Sequence, residues 1–135
     1  MPADQTYSGG CLCEAVRFTA TAGPLSCAIC HCRSCQRASG AESVGWATFP
    51  AQAVTWSGEL QRSYQSSPGV ERTFCQRCGS TLSYQASENT IDLVLACLDD
   101  PEAIPPQREI WLAHRISWNA LNPALPTFAG FSKDG

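Results

Sequence analysis

Residues 75–79 read Cys75-Gln76-Arg77-Cys78-Gly79, two cysteines separated by two residues and closed by a glycine. A turn of this form brings two thiolates together, and Gly79 can take the positive φ that the turn needs. Two thiolates make half of a tetrahedral zinc shell, so another pair is required elsewhere. Cys11-Leu12-Cys13 supplies it, because residues two apart in extended chain point to the same face. A closed site of Cys11, Cys13, Cys75 and Cys78 ties the N-terminal strand to the middle of the chain. Structural zinc contributes on the order of 10 kcal/mol to folding. The plain alternative, four buried free thiols, fits zinc-ligand spacing poorly.

Between these pairs lies Cys30-His31-Cys32-Arg33-Ser34-Cys35. Cys30 and Cys32 share a face, and the following turn brings Cys35 around. Three protein ligands leave a tetrahedral zinc with one open position, the mark of a site that meets substrate. Three thiolates also suit a soft incoming ligand such as another thiol, which becomes nucleophilic when zinc takes its proton's place. Cys27 could close this second site, but only if the chain bends, since residues three apart on a straight strand face opposite ways. Otherwise it is a small buried hydrophobe. His31, between two ligands, is expected to orient the loop by hydrogen bonding, with acid–base work as the alternative. Cys97 shares a strand face with Ile91, Leu93 and Leu95, which predicts core packing.

Around the cysteines the chain reads as short strands separated by turn chemistry. Strands are predicted over Ala15 to Thr19, Ser43 to Phe49, Val54 to Trp56, Leu60 to Gln65, Val70 to Phe74, Thr81 to Gln85, Ile91 to Leu98 and Glu109 to Arg115. Ser66-Ser67-Pro68-Gly69 has hairpin character, and Arg33 to Ser39 can make one short helical turn. The tail from Asn122, with Pro123 and Pro126, is expected to be irregular. Many short strands with regular turns predict an all-β fold, a sandwich or a barrel-like pair of sheets.

The totals agree. At 135 residues the chain predicts one domain, 1–135. Its net charge of −3 gives no nucleic-acid footprint. Eight of the nine basic residues are arginines, and the exception is Lys133. Arginine reads planar carboxylates, so small anionic ligands are plausible partners, although any one arginine is more often surface cover. No stretch approaches a membrane span, and the polar segment Met1 to Gly10 has no signal-peptide core, which predicts a cytoplasmic protein with reduced thiols. Nine cysteines, an odd number, also argue for metal over disulfides.

Three ordered clusters now stand in matching context: Gly10-Cys11-Leu12-Cys13 with Val16-Arg17-Phe18, the 30–35 motif, and Arg72-Thr73-Phe74-Cys75-Gln76-Arg77-Cys78-Gly79-Ser80 with Leu82. Leu98-Asp99-Asp100-Pro101, Ile110-Trp111 and Ser117-Trp118 complete the pattern. The chain resembles the glutathione-dependent formaldehyde-activating family, whose domain also occurs in centromere protein V, over a core of about 9–126. The resemblance implies a small two-sheet β fold with similarity to methionine-R-sulfoxide reductases. It implies a structural zinc on Cys11, Cys13, Cys75 and Cys78 and a catalytic zinc on Cys30, Cys32 and Cys35. It also implies a carbon–sulfur lyase joining glutathione to formaldehyde as S-(hydroxymethyl)glutathione. One departure is visible: the first motif usually continues with glycine, where this chain has Glu14.

The partners expected are therefore a small-molecule thiol and an aldehyde, with neither nucleic acid nor membrane. Arg33, Arg37 and Arg115 are candidate contacts for glutathione's carboxylates. Asp99 and Asp100 are candidates for positioning its amine, against a simple turn ahead of Pro101. The alternative class is a non-catalytic, zinc-stabilised module that binds glutathione or a partner through Trp46, Trp56, Trp111 and Trp118. Thiol redox chemistry at Cys97 or Cys27 is a third class, lacking the usual CxxC context.

Overall fold

A computed structural model describes residues 5–59 and 61–132. Leu60, where one strand was expected to begin, and Lys133 lie outside the described residues. The chain is all-β, built on two sheets. One holds β1 (Tyr7–Gly10), β2 (Arg17–Ala20) and β5 (Val54–Ser57). The larger has seven strands in the order β10-β3-β4-β9-β8-β7-β6. These are β3 (Ser26–Cys30), β4 (Val44–Pro50), β6 (Gln61–Ser67), β7 (Val70–Cys75), β8 (Thr81–Gln85), β9 (Thr90–Val94) and β10 (Glu109–Ile110). All pairings are antiparallel except β10 on β3. The single α-helix among the described residues, α1, spans Arg33–Ser39 with the bounds expected from sequence. No helix among them is long and apolar enough to cross a membrane.

Strand alternation divides the larger sheet into two faces. Cys27, Ala47, Phe49, Ile91 and Leu93 join Tyr7, Phe18 and Ala20 of the smaller sheet, with Val16 just ahead of β2, in the main core. Cys30, Val44, Trp46 and Val94 face the other way with Cys35 of α1, forming a second apolar cluster. The first face holds the sheets together. The second builds the site.

Several expected strands needed correction. The segment Ile91 to Leu98 pairs only to Val94; Leu95–Cys97 turn into a 3-10 helix, so Cys97 is not on the strand. Glu109 to Arg115 pairs only over Glu109–Ile110, because Trp111 takes a left-handed φ of 61° and starts another 3-10 turn, Leu112–His114. Two strands, β1 and β3, were not anticipated. The β1 strand ends in Gly9 and Gly10, poor strand formers, yet Gly9 lets the backbone bridge Leu98 where a Cβ would strike Phe18 and the Cys97 carbonyl.

Glu14 has a φ of 66°, with its N–H donating to the Cys11 carbonyl at 3.1 Å. A left-handed residue costs an L side chain on the order of 1 kcal/mol, and this is why glycine suits the position. Glu14 is exposed, so its side chain contributes little packing. Glu14→Gly should therefore raise the melting temperature by roughly 1–2 °C, net of glycine's extra chain entropy. Differential scanning calorimetry of the zinc-loaded protein checks it; a fall in melting temperature would show that the carboxylate outweighs the strain.

Candidate metal centres and the cavity between them

The knuckle at the end of β7 folds as its residue types dictate. Gly79 takes a φ of 81° and returns its N–H to the Cys75 carbonyl at 2.9 Å. The Cys75 sulfur accepts N–H bonds from Arg77 at 3.3 Å and Cys78 at 3.4 Å. On the loop after β1, the Leu12 N–H donates to Ser80 Oγ at 3.0 Å, which docks the two cysteine pairs against each other. The sulfurs of Cys11 and Cys13 lie 3.6 Å apart, and those of Cys13 and Cys75 lie 3.8 Å apart. A tetrahedral shell with zinc–sulfur bonds of about 2.3 Å places its sulfurs about 3.8 Å apart. All four sulfur atoms lie within 4.8 Å of one another, so the donor set fits one metal ion. The Ser80 hydroxyl, 3.2 Å from Cys78 Sγ, holds that thiol down to about 5, with further help from the Ser80 backbone.

The second group is Cys30 at the end of β3, Cys32 at the N-cap of α1, and Cys35 in its first turn. Their sulfurs also lie within 4.8 Å of one another. Cys32 Sγ caps the helix by accepting the Cys35 N–H at 3.3 Å. Negative charge settles on Cys32, held far below the ordinary thiol range by Cys30 first and Cys35 next, while Cys30 is pushed up in return. No fourth His, Cys, Asp or Glu among the described residues joins this group. Cys27 is occupied elsewhere: it faces the main core and donates its thiol to the Pro105 carbonyl at 3.0 Å. Burial pushes its thiol up, and pushes that of Cys97 up to about 11, so neither is poised as a redox nucleophile.

His31 and Glu109 brace this loop from behind. They are 1 % and 2 % exposed, and His31 Nε2 meets Glu109 Oε1 at 2.6 Å. Glu109 Oε2 accepts the Asn122 N–H at 2.7 Å, so one carboxylate links the cysteine loop to the C-terminal segment. Gln36 Nε2 adds bonds to the carbonyls of His31 at 2.7 Å and His114 at 3.0 Å. With its Nε2 engaged and its ring enclosed, His31 has the orienting geometry.

Cys30, Cys32 and Cys35 open into a cavity of about 350 Å³. Its floor is the second face of the large sheet, and its side is formed by Trp111, His114, Phe131 and Ser132. Strand register lays a polar row across that floor: Ser26 opposite Thr48, Thr48 opposite Asp92, Asp92 opposite Tyr84, Tyr84 opposite Arg72. Arg72 is 8 % exposed and directs both terminal nitrogens at Cys35 Sγ, each at 3.7 Å. It also donates to Ser66 Oγ at 3.2 Å, and its guanidinium lies 5.0 Å from the Tyr84 ring centroid. Arg108 donates to Ser132 Oγ at 3.0 Å.

The three arginines named from sequence sit elsewhere. Arg33 and Arg37 are on the exposed side of α1, Arg33 with its guanidinium on Gln36, and neither lines the cavity. Arg115 donates to the carbonyls of Ile116, Ser117 and Asn119, tying its own loop. Asp99 pairs with Arg17 on the surface, and Asp100 accepts the Glu102 N–H at 3.1 Å in a turn. Of the tryptophans, Trp46 and Trp111 line the cavity, Trp56 packs edge-on against Phe18, and Trp118 is exposed. Sequence reasoning named Arg72 only within a motif and missed Tyr84, Asp92 and Arg108 as site residues. Alternation along β7, β8 and β9 carried the signal, but only the pairing register brings them together.

Asp92 is half-buried, with Thr48 Oγ1 donating to it at 2.7 Å. Burial raises its carboxyl to about 6, against the pull of the Thr48 bond. The folded state thus holds this proton more tightly than the unfolded chain does. Stability contributed by the protonated form is lost as pH rises between about 4 and 6, and the penalty persists above that. Allowing for partial contact with water, the cost is about 2 kcal/mol at neutral pH. Asp92→Asn should therefore stabilise the zinc-loaded protein by about that amount at pH 7, and by about half as much at pH 5. Urea titrations at both pH values check this. A less stable variant at pH 7 would mean that the carboxylate has a partner worth more than its desolvation.

Comparison with known proteins places these features in a group. Residues 6–114 match the family described as glutathione-dependent formaldehyde-activating enzyme. An uncharacterized lyase of Schizosaccharomyces pombe is 31 % identical over 78 residues, which cover 58 % of this chain and 56 % of that protein. The match thus spans little more than half of the relative's length. A crystal structure of a Rhodobacter sphaeroides protein superimposes with a TM-score of 0.59 at 22 % identity, covering 73 % of this chain and 91 % of that one. That likeness is one of fold.

Proposed function

The chain belongs to the glutathione-dependent formaldehyde-activating enzyme family, and from that membership we propose that it is a zinc-dependent carbon–sulfur lyase that joins a thiol to a small aldehyde. Glutathione and formaldehyde are the substrates proposed, and S-(hydroxymethyl)glutathione the product. Cys11, Cys13, Cys75 and Cys78 would hold a structural zinc, and Cys30, Cys32 and Cys35 a catalytic one. The observation that carries the reading is the contrast between the two groups. Four sulfurs close around one point, whereas three sulfurs border a cavity with no fourth protein ligand among the described residues.

Zinc bound by Cys30, Cys32 and Cys35 would supply a Lewis acid that brings an incoming thiol to its thiolate form at neutral pH. The chain's own residues do the rest. Arg72, already directed at Cys35, offsets negative charge gathered at the sulfurs and presents guanidinium edges to a carboxylate. Arg108 offers a second cation on the cavity wall. Trp46, Tyr84 and Trp111 line the space and limit water around the reacting carbon. Holding thiol and aldehyde together there replaces a bimolecular encounter with an oriented one. The new bond joins sulfur to the aldehyde carbon, the carbonyl π pair moves to oxygen, and the thiol's proton ends on that oxygen.

Metal analysis of the purified protein should give two zinc per chain. With glutathione and formaldehyde, exchange spectroscopy should show adduct formation faster than the uncatalysed rate. Two zinc with glutathione binding but no acceleration would replace the enzyme by a binding module. Indifference of the zinc-loaded protein to glutathione would remove the proposal.

A further inference from the structure

We propose that the floor of the cavity carries a primary-ammonium subsite, formed by the Asp92 carboxylate flanked by the rings of Trp46 and Tyr84, and that the substrate thiol is therefore one that bears an amine. The inference deepens the reading above, resting on its premise that the cavity receives a thiol. Among the described residues, Asp92 is the one acidic side chain on the cavity lining. Its neighbour Thr48 fixes one carboxylate oxygen, and among the described residues no lysine, arginine or histidine pairs with it. The two arginines among the described lining residues make their contacts away from Asp92. Arg72 is held by Cys35, Ser66 and the Tyr84 ring, and Arg108 by Ser132.

A partly buried carboxylate with no cationic partner among the described residues is costly, and an asparagine would satisfy Thr48 as well without that cost. What a carboxylate adds is a place for a cation. The surrounding groups narrow the kind. Tyr84 stands directly opposite Asp92 on β8, and Trp46 lies one step diagonally on β4, with ring centroids 6.1 Å apart. A carboxylate beside aromatic faces suits a compact ammonium group, which donates a charged hydrogen bond to the carboxylate and meets ring quadrupoles on its other sides. Arg72 lies two strands away on the same row, about 10 Å at ordinary strand spacing. A ligand that spans both poles carries an ammonium and a carboxylate, as an amino-acid or peptide thiol does.

The test is calorimetric titration of the zinc-loaded protein with two pairs of thiols. Glutathione is compared with glutaryl-cysteinylglycine, the same tripeptide skeleton without the amine, and cysteamine with 2-mercaptoethanol. The wild type should prefer the amine-bearing member of each pair by about tenfold, the strength of one charged contact. Asp92→Asn should bring each pair to within about twofold, its folding checked by the urea titrations above. Equal affinity within both pairs overturns the inference, as does a preference that survives Asp92→Asn. A rate loss in that variant without an affinity change would make Asp92 a proton carrier instead. If neither tripeptide binds while the cysteamine pair shows the preference, glutathione fails as the substrate and the ammonium subsite stands. If glutathione binds with no regard for its amine, the functional reading stands and the subsite falls. If no thiol binds, both fall.

Discussion

Cys75→Ser should unfold the protein. Cys75 is fully buried, and its sulfur both belongs to the four-cysteine group and anchors the knuckle by accepting two backbone N–H bonds. A serine oxygen is a poor substitute for a thiolate toward zinc. Structural zinc in small domains is worth about 10–16 kcal/mol of apparent folding free energy, while a whole domain is stable by only about 5–15 kcal/mol. The comparison leaves little margin, because this group joins the smaller sheet to the larger one. The variant should show no cooperative thermal transition, a collapsed β-sheet circular dichroism signal, and loss of zinc from both centres. A folded Cys75→Ser protein melting within a few degrees of wild type would mean that the two apolar clusters hold the fold by themselves.

Cys35→Ser should have the opposite profile, with structure kept and chemistry lost. Cys35 lies in the first turn of α1, and its sulfur is met by the other two cysteines and by Arg72. Serine fills nearly the same space and can accept from Arg72, so the second apolar cluster should survive with a cost of about 1–2 kcal/mol. Two remaining sulfurs make a poor zinc site, and without the metal an ordinary thiol is almost wholly protonated at neutral pH. Turnover above the uncatalysed rate should therefore fall by about a thousandfold or more, with zinc content dropping from two to one per chain. Arg72→Met keeps the sulfurs and removes the adjacent cation, so its loss should be smaller, about a hundredfold in kcat/KM. Steady-state kinetics beside metal analysis on both variants decides the matter. Full activity in Cys35→Ser would move the chemistry away from this cluster.

Local signals were the ones legible before the structure. The structure gathers the seven sulfurs that the spacings singled out, although Cys11 and Cys13 meet in a turn closed by the Glu14 N–H on the Cys11 carbonyl and not in extended chain as expected. The α1 and β8 boundaries, and the Pro68–Gly69 hairpin between β6 and β7, follow from residue chemistry within a few positions. The β3 strand, Ser26–Cys30, escaped because it carries one β-branched residue and gains its place by pairing with β4 and β10. Strands overran at Val94 and Ile110, where apolar sequence continues but the backbone turns. Arg72, Tyr84 and Asp92 were hidden for a deeper reason. Each looks ordinary along its own strand, and their adjacency is a property of pairing between strands. The His31–Glu109 brace is of the same kind, joining residues that no local pattern relates.

The cavity is walled partly by Phe131 and Ser132, whereas the family match stops at residue 114. The three sulfurs and most of the lining lie inside the matched stretch, and only this part of the wall is written beyond it. Replacing Phe131 and Ser132 alone offers a way to retune which molecule is accepted while leaving the three sulfurs and the Glu109–Asn122 brace behind them in place, much as a lock can be rekeyed without changing its bolt.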